Sequence, residues 1–205
     1  MSSILINGPV GQLEILPEEP ESLSESAPVA IICHPHPLYA GSMQNKVVHT
    51  LAKSCLALGM PAVRFNFRGV GQSAGHFEHG LGEQQDCIAV AEWARQQYPN
   101  RPIRLAGFSF GSFVAYQAYS KINAERLLLV APPVGLFQFE SRACITIPWY
   151  VIQGQEDEIT PPESVEAWVK SQQCPPEFYY LEATSHFFHG KLNLLREIVM
   201  DIWKI

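Results

Sequence analysis

Short, nearly continuous apolar runs alternate along this chain with longer segments in which apolar residues recur at helical spacing. The runs are "VAIIC" (Val29 to Cys33), "AVRFNF" (Ala62 to Phe67), "IRLAG" (Ile103 to Gly107), "RLLLV" (Arg126 to Val130), "PWYVIQ" (Pro148 to Gln153) and "EFYYLE" (Glu177 to Glu182). Runs of this kind suit strands covered on both faces. Between them, Cys87, Ala91, Ala94 and Tyr98 follow at steps of four, three and four, and Leu192, Leu195, Val199 and Ile202 at three, four and three. Each stripe gives a helix one face with which to cover a sheet. Ahead of these lie two short apolar segments, Ile4 to Ile6 and Leu13 to Leu16, split by "NGPVGQ", which predicts an antiparallel hairpin at a sheet edge. "PEEPESLSESAP" has no periodic apolar face and reads as a solvated loop. Together the elements predict a single α/β domain over residues 1–205, with about eight strands, helices on both faces and no internal repeat.

Composition narrows the class of function. With 47% hydrophobic and 17% charged residues, the chain has the makeup of a packed domain and not of a disordered one. A net charge of −6, with no basic run, argues against nucleic acid, which needs clustered Lys and Arg to neutralise phosphates. The opening "MSSILINGPVGQ" has no basic leader pattern, and nowhere do some twenty apolar residues run together. The expectation is a cytoplasmic protein without a membrane partner. Five cysteines, widely spaced and without a C-x-x-C pair, read as buried reduced thiols and not as disulfides or metal ligands.

The chemistry concentrates in "RLAGFSFGSFVAYQA", where Ser109 stands between Phe108 and Phe110 and between Gly107 and Gly111. A strand precedes it and a helix pattern follows, so "GFSFG" falls on a sharp strand-to-helix turn, the setting of a G-x-S-x-G nucleophile elbow. There the residues two before and two after the serine approach another element too closely for a side chain. The phenylalanines supply apolar walls, while the Phe110 N–H and the helix N-terminus face a developing anion. A serine hydroxyl needs a base. "VIQGQEDEIT" places Asp157 just past one strand, flanked by Glu156 and Glu158 as alternatives, and "YYLEATSHFFHG" places His186 past the next, with His189 as a competitor.

The combination of "CHPHPLYAGSMQNKVV", "FNFRGVGQSAG", "GFSFGS", "GQEDEIT" and "SHFFHG" resembles the α/β-hydrolase superfamily over nearly the whole chain. More narrowly it is similar to small hydrolases of the dienelactone-hydrolase and prolyl-oligopeptidase-like branches. The resemblance implies an α/β-hydrolase fold with Ser109 as nucleophile, His186 as general base and Asp157 as the acid that orients it. It also implies an oxyanion hole after the third-strand run. There "HPHP" departs from the superfamily's His-Gly pattern, and Pro35 and Pro37 have no N–H to donate. The expected donors are therefore the backbone N–H groups of His36 and Phe110, with Leu38 a weaker alternative. His34, Leu38, Phe108 and Phe187 are the expected substrate contacts, with His34 alternatively hydrogen-bonding to backbone and fixing the loop, and Phe137, Phe139 and Trp149 are further aromatic wall candidates.

Other readings fit less well. H-x-H spacing suits metal ligands, but "HPHPLYAGS" continues with no further ligand, so no metal and no cofactor is expected. "FRGVGQSAG" matches neither a Walker A loop nor the Rossmann spacing, and Arg68 is assigned to the rim of the site, with Asp86 an ordinary helix polar residue. Between "RLLLV" and "PWYVIQ" lie too few residues for a helical cap, so the site is expected to be open. The sequence thus predicts a serine hydrolase acting on a small-molecule acyl substrate, of carboxylester or thioester type. The alternatives are a peptidase or acyltransferase using the same three residues, or a binding module that has kept the fold.

Overall fold

The structure is a computed structural model that describes residues 2–24, 26–139 and 144–204. Eight strands form one sheet: β1 (Ile4–Gly8), β2 (Gly11–Glu18), β3 (Val29–Cys33), β4 (Ala62–Phe65), β5 (Ile103–Phe108), β6 (Arg126–Val130), β7 (Trp149–Gly154) and β8 (Glu177–Leu181). Their spatial order is β1-β2-β4-β3-β5-β6-β7-β8. β1 pairs with β2, and β2 with β4, antiparallel; every other pairing is parallel. Five helices connect and cover them: α1 (Lys46–Ala57), α2 (Leu81–Gln97), α3 (Phe110–Ile122), α4 (Pro162–Ser171) and α5 (Leu192–Ile202).

Strand alternation divides the core in two. Val29, Ile31 and Cys33 of β3 face one layer with Val90, Ala91, Val114 and Trp168, from α2, α3 and α4. Ala30 and Ile32, one residue out of phase, face the other layer with Leu51, Cys55, Leu195 and Val199, from α1 and α5. The parallel strands end together at one edge of the sheet, and the loops leaving that edge carry the chemistry.

Three expectations need correcting. The edge strand β8 is only partly buried, because no strand pairs beyond it. β2 runs on through Pro17 and Glu18 into the segment read as loop, and Glu18 is buried as the partner of Arg64 at 2.7 Å. The antiparallel edge tolerates Pro17. Finally, Cys144 and Cys174 form a disulfide, with Cα atoms 5.1 Å apart, that ties the approach to β7 to the α4–β8 loop. Cys33, Cys55 and Cys87 are free and buried as expected. Spacing alone cannot show a pairing between loops that the sheet brings side by side.

Candidate active site

Ser109 closes β5 and caps α3 with φ 53° and ψ −124°, a conformation a non-glycine residue rarely adopts. Its N–H donates to Val130 O at 2.8 Å and its carbonyl accepts from both the N–H and the hydroxyl of Ser112, so the turn is held from both sides. A Cβ on Gly107 would lie 2.1 Å from Gly111 O, and one on Gly111 would lie 2.3 Å from Cys33 O. Both clashes are with backbone, which cannot rotate away. The two glycines thus let β3, β5 and α3 meet at one point, and Ser109 stands at the top with part of its surface exposed.

His186 Nε2 lies 3.0 Å from Ser109 Oγ, and His186 Nδ1 lies 2.8 Å from Asp157 Oδ2. Asp157 follows β7 and His186 follows β8, so adjacent strands deliver the pair to the end of β5. The Asp157 carboxylate also accepts from Gln153 Nε2 at 2.9 Å and from the N–H groups of Ile159 and Thr160 at 2.9 and 2.7 Å. Burial on its own raises the Asp157 pKa, but the hydrogen bonds and the facing imidazole outweigh it and hold the carboxyl below its usual range. An ionised Asp157 assigns the Nδ1 proton to the imidazole and leaves Nε2 free to accept from the serine. Glu156 is exposed; Glu158 accepts the His186 backbone N–H at 3.0 Å, fixing the loop and not the ring. His189 is exposed and its ring packs near Phe187.

The two histidines of "HPHP" differ. His34 is fully buried; its Nε2 accepts the Phe67 N–H at 3.0 Å while Nδ1 donates to Pro35 O at 2.6 Å. Burial drives its pKa down to about 3, so it is a neutral strut between the loops after β3 and β4. His36 starts a single 3-10 turn, Pro37–Tyr39, and its Nδ1 accepts the Leu38 N–H at 3.2 Å. Among the described residues, the backbone N–H groups of His36 and Phe110 make no hydrogen bond. The Leu38 N–H, by contrast, is taken.

A cavity of about 350 Å³ opens over Ser109 and His186, walled by Pro133, Leu136, Phe137, Ile159, Phe187 and Phe110 on its apolar sides. His36 also lines it, its ring packed against those of Tyr39, Phe77 and Phe110 at 4.6–5.0 Å between centroids. Phe187 and Phe137 therefore line the cavity as expected and Leu38 and Phe108 do not, while His34 takes the alternative role of fixing the loop through backbone hydrogen bonds. His34 lies beneath the loop, and Leu38 points outward from the 3-10 turn. Phe108 falls one residue out of phase with Gly107, so alternation sends its ring into the α1/α5 layer, where it packs behind His186 at 5.2 Å. Phe139 packs on Trp168 at 5.0 Å, and Trp149 is core.

Arg68 is buried, not on a rim; it reaches Asp86 at 2.7 Å and Glu78 at 2.7 Å, and its own N–H donates to Asp86. This pair locks the loop after β4 to α2. Two residues near the site escaped the sequence reading. Gln153, at the penultimate position of β7, meets Asp157 four residues later; its polarity inside a buried strand was the available signal. Asn45 caps α1 and lines the cavity, and an Asn immediately before an apolar-periodic segment is a cap signature.

Fold and site together are those of an α/β serine hydrolase, with no lid among the described residues. The chain belongs to the X-Pro dipeptidyl-peptidase (S15) family, whose model matches residues 15–141. That span includes Ser109 but ends before Asp157 and His186. An alpha-beta serine hydrolase homologue from Coxiella burnetii shares 44% identity, with 98% of this chain and 96% of that one covered and a TM-score of 0.93. A lidless serine hydrolase from Xanthomonas campestris shares 42% identity over 98% and 92% of the two chains, also at a TM-score of 0.93. An uncharacterized protein of Rickettsia prowazekii is 35% identical over 98% of this chain and 88% of its own length.

Proposed function

We propose that the protein is a serine esterase that passes the acyl group of a small neutral ester to Ser109 and then to water. The observation that carries this reading is the unbroken sequence of contacts from Asp157 through His186 to Ser109, 2.8 and 3.0 Å long, at the floor of a mostly apolar cavity. Ser109 Oγ attacks the carbonyl carbon as its proton passes to His186 Nε2. The bond to the leaving alcohol then breaks, and His186 returns the proton to that oxygen. Water attacks the acyl carbon with His186 again taking a proton, and the acyl–Oγ bond breaks as the serine is reprotonated. The N–H groups of His36 and Phe110 stabilise the oxyanion in each half, each worth roughly 10²–10³ in rate.

The family's descriptive name raises dipeptide release as a rival. A dipeptidyl substrate brings a free ammonium, which a carboxylate in the binding cavity would satisfy. Among the described residues, no Asp or Glu lines this one. The ester reading is tested by comparing kcat/KM for p-nitrophenyl esters of graded length with that for Ala-Pro p-nitroanilide. Ester turnover is expected to exceed dipeptide release by at least ~10³-fold, of which the better leaving group accounts for a part that alkaline hydrolysis of each substrate calibrates. Preference for the anilide after that calibration overturns the reading.

A further inference from the structure

Besides the Tyr39 hydroxyl and the His36 ring, the cavity over Ser109 has one amide side chain that the acyl-transfer scheme does not use. Asn45 lines it from the start of α1. The orientation of its amide is set by the fold: Oδ1 accepts the N–H groups of Val47 and Val48 at 2.9 and 3.5 Å, capping the helix. The carbonyl end is thereby committed to protein, and the NH₂ end, with two donors, makes no hydrogen bond among the described residues. Among the described residues, the rest of the lining offers that group no Asp, Glu, Lys or Arg, and eight of the fourteen lining residues are Pro, Ala, Leu, Ile or Phe. A cavity of about 350 Å³ has room for on the order of a dozen non-hydrogen atoms, at the ~30 Å³ each that water takes in the liquid.

We infer that the substrate is an uncharged ester carrying, apart from its reacting carbonyl, a neutral oxygen acceptor such as an ether, hydroxyl or second carbonyl, and that Asn45 Nδ2 donates to it. The inference rests on the esterase reading and adds the substrate class and the residue that selects it. An apolar wall holds hydrocarbon without fixing its register; an amide donor set in that wall would fix which position along the chain bears oxygen. A hydrogen bond gained here contributes a net factor of roughly two to ten.

The test replaces, one position at a time, a methylene of p-nitrophenyl hexanoate beyond the one next to the carbonyl by oxygen, and reads kcat/KM for each ether against the all-carbon parent after correction for alkaline hydrolysis. The native enzyme is expected to favour one ether position by about three- to tenfold. Asn45→Asp keeps the capping oxygen and the volume but removes both donors; Asn45→Ser keeps a cap and withdraws the amide. In both, the ether-to-carbon ratio at that position is expected to fall to about one or below. Because the ratio is taken within each variant, a general loss of activity cancels, and melting temperatures identify a variant that is unfolded. A flat panel in the native enzyme, or a preference that survives both substitutions, overturns the assignment. If no ester in the panel is turned over while the native chain is folded, the esterase reading itself has failed, and this inference with it.

Discussion

Gly111→Ala adds one methyl group at the point where three backbones converge. The new Cβ would sit 2.3 Å from Cys33 O and 2.5 Å from His34 O, whereas real Cβ atoms essentially never approach within 3.0 Å. The first turn of α3 must therefore move about 0.7 Å from the end of β3, since neither side has a rotamer to yield. Overpacking of this size costs about 1–3 kcal/mol. The displacement also separates the Phe110 N–H from the His36 N–H, because one rides on α3 and the other on the loop leaving β3. A misplacement approaching 1 Å costs up to ~10² in rate. Urea denaturation is expected to show the stability loss, and steady-state hydrolysis of p-nitrophenyl butyrate a kcat some 10- to 100-fold below the parent. If Gly111→Ala unfolds at the parental urea concentration and turns over at the parental rate, the close approach that defines this elbow is misplaced.

Asp157→Asn is expected to lower kcat on the order of 10⁴-fold, as loss of the tautomer-holding carboxylate does in serine hydrolases, with Glu158→Gln far milder; the reverse ranking in steady-state assays would transfer the acid role. Because the folded pKa of Asp157 is depressed, its contribution to stability is complete above the unfolded-state value near 3.9 and is lost as pH falls through the lower folded value. The stability gap between native protein and Asp157→Asn, followed by chemical denaturation from pH 7 downward, should therefore close below pH 4; a gap that widens there contradicts the assignment. His36 has φ −57°, so proline fits its backbone. His36→Pro and His36→Ala both lose the imidazole, but only the first loses the N–H, and kcat is expected to be roughly 10²–10³-fold lower for Pro than for Ala. Equal rates would remove His36 from the oxyanion hole. The disulfide closes a separation of 30 residues, for which chain entropy gives about 3–4 kcal/mol; thiol titration of unfolded, unreduced protein should find three thiols, and five would refute the bond.

What the sequence disclosed was local in its causes. The elbow was legible because Gly107, Ser109 and Gly111 answer to one sharp turn, and the residues after β7 and β8 because parallel strands end at a common edge. Contacts between distant segments away from that edge were not legible. Asp86 looked like a helix polar residue because its partner, Arg68, lies 18 positions away across a loop, and the Cys144–Cys174 bond depends on two loops meeting beside the sheet. His34 and His36 look alike in "HPHP", yet one is buried under the loop and the other faces the cavity. The misplacement of Phe108 is different in kind. Strand parity relative to Gly107 already sent it to the opposite face, so the sequence contained the answer.

The central claim is that Ser109 becomes covalently acylated with His186 as its base. Intact-protein mass spectrometry after treatment with a fluorophosphonate, followed by peptide mapping, tests it most directly. The account predicts one adduct per chain, on Ser109, absent in Ser109→Ala and strongly slowed in His186→Ala, with both variants folded. No adduct on the native protein, an adduct on another residue, or undiminished labelling in His186→Ala would contradict it.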